Sequence, residues 1–216
     1  MVAIRKDPRG DVATSPSPWD PVVRITHWGI VFSVLLNGFV VEEGGTVHVW
    51  AGWIVLALLL VRLLWGIAGP APARFASFPP DPAAALRHLR RLFRGKAHAH
   101  SSHNPAGAMM VYALWACLLA ITLSGLVMIG GRSPVTIAEQ RAAVAAGDWS
   151  VLVAESEGRD DDAEAERTRA VAEEVHEVAA NLLLLLALVH VAGVAVESRA
   201  LGRNLVRPMI GGRKTR

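Results

Sequence analysis

Long apolar stretches separated by blocks of charge dominate the chain. Four stretches come close to the roughly 20 residues that an α-helix needs to cross a bilayer core: Ile25 to Val41, His48 to Ala68, Ala108 to Ile129 and Val175 to Val196. The second and fourth contain the runs WIVLALLLV and NLLLLLALVHVAGVAV, while the first is the shortest and includes Ser33 and Asn37. None of the long runs has the polar face that a water-facing helix carries, which argues against two soluble helical hairpins. The pattern predicts an all-α membrane protein, a bundle of four transmembrane helices.

Composition agrees with this reading without deciding it. Hydrophobic residues make up 52% of the chain and charged residues 19%, with a mean hydropathy of +0.36. A soluble domain can reach such values, so the segregation of charge between the spans carries the argument. The calculated pI of about 9.6 raises the question of nucleic acid. The basic residues flank apolar spans, however, which is the distribution that sets membrane topology, and no nucleic-acid partner is expected. A single cysteine, Cys117, lies inside an apolar stretch, so neither a disulfide framework nor a thiolate metal site is available. Near the start, Arg5, Lys6 and Arg9 are followed by Pro8, Pro16, Pro18 and Pro21 rather than by an apolar core. That is not the pattern of a cleavable signal peptide, and the first span is expected to remain in the mature protein.

Lysine and arginine counts predict the orientation. Arg5, Lys6, Arg9 and Arg24 precede the first span; Arg74, Arg87, Arg90, Arg91, Arg94 and Lys96 lie between the second and third; Arg199, Arg203, Arg207, Arg213, Lys214 and Arg216 follow the fourth. The short EEGGT connection has none. The positive-inside bias therefore predicts an N-in/C-in arrangement in a bacterial inner membrane. The expected organisation is a cytoplasmic N-terminal segment (1–23), a four-helix transmembrane domain (24–198) and a basic cytoplasmic tail (199–216). Within the domain lie a basic cytoplasmic loop (70–107) and an acidic periplasmic loop (130–173). The EQRAAVAAGDWSVLVAE portion of the outer loop reads as a surface helix, and the run around Asp160, Asp161, Asp162, Glu164 and Glu166 as a mobile segment.

Histidines at membrane depth are costly and mark function. Four of the eight lie in or at the ends of the spans: His27, His48, His176 and His190. In the predicted topology His27 is near the cytoplasmic side, His48 and His176 are near the periplasmic side, and His190 lies deeper on the inner half. His176 and His190 are fourteen residues apart, close to four helical turns, so they share a face with an axial separation of about 21 Å. Depth then pairs His48 with His176 and His27 with His190. Two pairs at matched depths suit two b-type haems, each with two histidine ligands, a coordination that leaves no open iron position and favours electron transfer. A zinc site would need a third or fourth ligand close by, which the depth separation forbids. The alternatives residue by residue are an interfacial anchor for His27, a polar helix start for His48, solvent exposure for His176 and an interhelical hydrogen bond for His190.

Secondary candidates surround these four. Gly52 and Gly193 lie on the faces of His48 and His190, where a missing side chain would admit a flat macrocycle, although glycine also serves ordinary membrane-helix packing. Arg62 and Arg24 are candidates for haem propionates, with snorkelling to headgroups as the alternative. Arg74 reads as a positive-inside anchor. His103, with Asn104 and Pro105, reads as a loop or cap, and His88, His98 and His100 as solvated loop residues.

Several segments together resemble a known family. WDPVVRITHW (Trp19 to Trp28), HVWAGW (His48 to Trp53), RLLWGIAGPAPARFASF (Arg62 to Phe78), HNPAGAMM (His103 to Met110) and EEVHEVAANLLLLLALVHVAGV (Glu173 to Val194) are similar to the bacterial cytochrome b561 and Ni,Fe-hydrogenase b-type cytochrome subunit superfamily. They occur in that family's order, nearer its hydrogenase-type branch. The resemblance implies a four-helix cytochrome with two b haems that passes electrons between the quinone pool and a partner redox protein. It carries the ligand positions onto His27, His48, His176 and His190. The outer loop is longer than in the smallest members.

The sequence thus predicts an electron-transfer subunit working with quinone or quinol and a periplasmic redox protein, either a hydrogenase-like subunit or a cytochrome c. One rival is a self-contained cytochrome b561-like oxidoreductase, using quinone with superoxide or a small reductant at an open outer haem edge. Another is a haemless transporter or structural membrane subunit.

Overall fold

The computed structural model describes residues 19–95, 104–150 and 163–211, which are helical apart from turns and loops. The helices are α1 (Pro21–Phe39), α2 (Thr46–Ala68), α3 (Pro82–Phe93), α4 (Pro105–Met128), α5 (Pro134–Ala145), α6 (Ala163–Ala200) and the single turn α7 (Arg207–Ile210). Four of them, α1, α2, α4 and α6, are long and apolar enough to cross a membrane.

One local device starts four of these helices. Asp20, Asp81, Asn104 and Ser133 are N-caps, each followed by a proline in the first turn. The cap side chain accepts from backbone N–H groups that have no partner inside the helix, and proline there sacrifices no hydrogen bond. Asp20 does more than cap α1. It also accepts a hydrogen bond from Trp65 Nε1 at 2.9 Å, fixing the end of α2 beside the start of α1.

Val55, Leu59, Cys117, Leu118 and Leu183 form the buried centre of the bundle, flanked by Ile30, Val34 and Leu186. Large apolar side chains such as Phe32, Leu64 and Leu188 remain more than 60% exposed, as a lipid-facing surface requires. At one end, Trp19 N–H donates to the Pro208 carbonyl, Arg24 to that of Ile210 and Trp28 Nε1 to that of Met209. The beginning and end of the described chain therefore meet at the same end as α3, called the α3 end below. The opposite, α5 end holds α5 and the α1–α2 connection.

The structure departs from the expected boundaries at three places. α6 begins at Ala163, not near Val175. At about 1.5 Å per residue its 38 residues extend about 57 Å, far beyond a hydrocarbon core of roughly 30 Å. Its first turns read AEAERTRAVAEE, rich in good helix formers, so the helix continues where the apolar run has stopped. Glu164 and Glu166 are consequently helical, while Asp160 to Asp162 lie outside the described residues. The expected surface helix is met in part by α5, which starts earlier, at Pro134, and ends at Ala145; residues 151–155 of the expected stretch lie outside the described residues. The described part of the basic connection is also structured, with two 3-10 turns at Ala71–Ala73 and Phe75–Ser77 ahead of α3.

Candidate haem-binding site

His48 occupies the first turn of α2 and His176 the middle of α6. Their ring centroids are 6.0 Å apart, with the planes at 50°. Metal–imidazole bonds are about 2.0–2.1 Å long, so two rings at this separation are close enough that His48 and His176 could hold one metal centre between them.

The protonation of His176 follows from its neighbours on α4. Its Nδ1 lies 3.0 Å from the Ile121 carbonyl oxygen and 3.2 Å from Ser124 Oγ. Ser124 Oγ is itself 2.6 Å from the Ala120 carbonyl, to which it donates. A carbonyl can only accept, so the network assigns the proton to Nδ1 and leaves the Nε2 lone pair available, the arrangement found in oriented metal-binding histidines. Gly125 permits this approach. A Cβ on Gly125 would stand 3.5 Å from His176 Nδ1 and 3.3 Å from Cε1, the latter tighter than ordinary contact.

A cavity of about 1150 Å³ opens beside the pair, its wall including His48, Gly52, Trp53 and His176. That exceeds the ~300–1,000 Å³ of ordinary small-molecule pockets, a volume sufficient for a macrocycle. A Cβ added at Gly52 meets nothing within 4 Å. His48 Nδ1, Asn37 Oδ1 and Trp53 Nε1 are buried without a hydrogen-bond partner. Such groups are rare unless something polar is to be bound. α5 contributes Ile137, Gln140 and Arg141 to the same wall, joined by Arg132 just before it. Arg141 donates to the Gly44 carbonyl at 2.5 Å, tying α5 across to the α1–α2 connection. Arg132 donates to the Ile129 carbonyl at 2.9 Å and to Gln140 Oε1 at 3.0 Å. Sequence reasoning singled out neither arginine, nor Gly125. The available signal was a pair of small residues, Ser124 and Gly125, at the level of His176.

Toward the α3 end, His27 on α1 lies within electrostatic range of His190 on α6. His27 Nδ1 is buried without a partner. The anchoring contact there is made by Trp28 through its indole N–H to Met209, and the His27 ring stands edge-on to Trp28 at 5.2 Å. A Cβ at Gly193 also meets nothing within 4 Å.

Arg62 is only 5% exposed, so it does not snorkel. It donates to the Ala73 carbonyl at 3.3 Å and its guanidinium lies 4.9 Å from the Trp115 ring centroid, while one terminal nitrogen is buried without a partner. Arg24 is held by the Ile210 carbonyl, and Arg74 by that of Gly69 at 2.6 Å. His88 is not the solvated loop residue the sequence suggested. It is buried, and its Nε2 lies 3.8 Å from Glu197 Oε1. His98, His100 and His103 lie outside the described residues; Asn104, beside them, is the α4 cap.

Among the described residues no cluster of three or more His, Cys, Asp or Glu side chains is placed to hold a metal ion. Paired histidines fit haem for this reason: the macrocycle brings four nitrogens of its own and asks the protein for two.

A four-helix membrane bundle with facing imidazoles on opposite helices belongs to the class of membrane cytochromes. The chain matches prokaryotic cytochrome b561 over residues 18–212 and is a member of that family. It is therefore a multi-pass bacterial membrane protein of a b-type haem cytochrome family, whose role is electron transfer. Comparison with curated proteins and with solved structures gives no match.

Proposed function

We propose that the protein is a di-haem b-type cytochrome carrying electrons across the bacterial inner membrane between the quinone pool and a periplasmic redox protein, N-in/C-in. His48 and His176 hold one haem, and His27 and His190 the other. Haem b bound at these positions supplies a reversible one-electron couple near each face of the membrane. The observation carrying this reading is that α6 offers one histidine to α2 and, fourteen residues on, another to α1.

The protein's own residues shape that chemistry. Ile121 and Ser124 orient His176, and Gly125 leaves room for it against α4. Gly52 and Gly193 leave open the helix surface beside the ligands. Arg132 and Arg141 place positive charge in the wall of the His48/His176 cavity, and Arg24 and Arg62 do the same toward the α3 end. Positive charge there binds propionates and favours the reduced state. The apolar centre from Val55 to Leu183 keeps water from the space between the two positions.

Free access of superoxide or a small reductant to the His48/His176 site is disfavoured by α5, which stands in the cavity wall and is tethered through Arg141 to Gly44. A partner protein docking beside α5 fits better. The test is electron transfer in proteoliposomes, with quinol on one side and a membrane-impermeant oxidant on the other. The proposal requires haem-dependent reduction of the oxidant. Vesicles carrying haem-loaded protein that perform no better than empty ones would contradict it.

A further inference from the structure

The short helix α3 carries three kinds of surface. At 3.6 residues per turn, Ala85, His88 and Leu92 share one face. Ala85 and His88 are buried, and this face packs on α4. Beside it runs a second apolar strip, Leu86, Leu89 and Phe93, which stays 50%, 38% and 83% exposed. Arg87, Arg90, Arg91 and Arg94 occupy the remaining side.

The depth of α3 is set by membrane-helix ends. His88 faces Glu197, near the end of α6, and Glu197 also accepts a hydrogen bond from Asn104, the N-cap of α4. α3 therefore lies level with the point where α4 begins and α6 leaves its apolar run. Leu64 and Ile67, toward the same end of α2, are 66% and 71% exposed, so lipid-facing apolar surface reaches this level. The only ion pair of the α3 arginines among the described residues is Arg87 with its cap Asp81, at 3.9 Å and largely exposed. Such a pair is weak, and Arg90, Arg91 and Arg94 have no carboxylate partner among the described residues.

We propose that α3 is a binding site for anionic phospholipid. Leu86, Leu89 and Phe93 enter the acyl boundary, and the arginines reach up to lipid phosphates. A helix with apolar residues on one side and arginines on the other lies in the interface plane. Guanidinium groups bind phosphate in a bidentate geometry and keep their heads in the polar layer while the stems lie on apolar surface. Four guanidiniums against one carboxylate select an anionic headgroup over a zwitterionic one.

Two measurements on the full-length, haem-loaded protein in lipid nanodiscs test this. First, a spin label is placed on Phe93→Cys or Arg91→Cys, with the buried Cys117 left in place and the unlabelled parent as control. The label at 93 is expected to collide with oxygen more than with a water-soluble nickel chelate, and the label at 91 to show the reverse. A label at 93 open to the chelate, or shielded from both agents as by a protein partner, overturns the proposal. Second, retention of phosphatidylglycerol over phosphatidylcholine is measured by native mass spectrometry for the parent and for the combined Arg87→Gln, Arg90→Gln, Arg91→Gln and Arg94→Gln variant. An arginine near an anionic surface is worth about five-fold in binding, so the variant should lose at least about ten-fold selectivity. An unchanged haem spectrum in the variant establishes that it is folded. Unchanged selectivity would overturn the proposal.

Discussion

His48 and His176 face each other across the α5 end of the bundle with ring centroids 6.0 Å apart. They come from α2 and α6, helices far apart in the chain, and the rings meet because both helices present a histidine at the same end of the bundle. If each pair holds its own haem, single substitutions must separate them. His48→Ala and His190→Ala should each reduce haem from two to one per chain, and redox titration should show that different haems remain. Loss of the same haem in both variants would reject the pairing.

Gly125 lies where a side chain would press on His176. Gly125→Ala places a Cβ 3.3 Å from His176 Cε1, so the ring must shift by a few tenths of an ångström. The expected result is an altered potential or g-value for the His48/His176 haem alone. Gly125→Leu should lose that haem while the other survives. A change confined to the His27/His190 haem would contradict the assignment.

Arg132 and Arg141 stand in the cavity wall beside His48 and His176. Positive charge favours the reduced form of a nearby haem, so Arg132→Gln or Arg141→Gln should lower its midpoint potential. One charge acting across partly polar protein gives a shift of roughly tens of millivolts. Potentiometric titration of each variant, followed at both haems, measures it. An upward shift, or equal shifts at the two haems, would be inconsistent with this placement.

The cluster of His88, Glu197 and Asn104 joins α3, α4 and α6. Glu197→Ala removes the acceptor and leaves His88 in a buried place without its carboxylate. Losing a hydrogen bond to a charged group costs about 1.5–3 kcal/mol, so thermal unfolding in detergent should occur several degrees lower, with the haem spectrum retained. His88→Leu should also lower the unfolding temperature, since it leaves the largely buried Glu197 carboxylate facing an apolar side chain. Equal stability of Glu197→Ala and the parent would remove the cluster from the account of how α3 is held.

The spans were legible in the sequence because membrane burial writes them plainly: hydropathy marks the helix, and its direction gives each histidine an expected depth, from which the proposed pairing is argued. His88 was misread because its burial depends on Glu197, a contact between distant segments that no local pattern announces. The start of α6 was missed because hydropathy ends near Val175 while helix propensity continues through Ala163 to Glu174. The cap–proline starts at Asp20, Asp81, Asn104 and Ser133 were readable and would have placed four helix beginnings closely. Gly125, Arg132 and Arg141 gain meaning only once α4 and α5 are seen against α2 and α6.

The central claim is that this chain holds two b haems, and haem quantitation on the purified protein tests it most directly. A reduced-minus-oxidised spectrum combined with pyridine haemochrome analysis should give a b-type signal and two haems per chain. One haem per chain, or no b-type signal, would contradict the account.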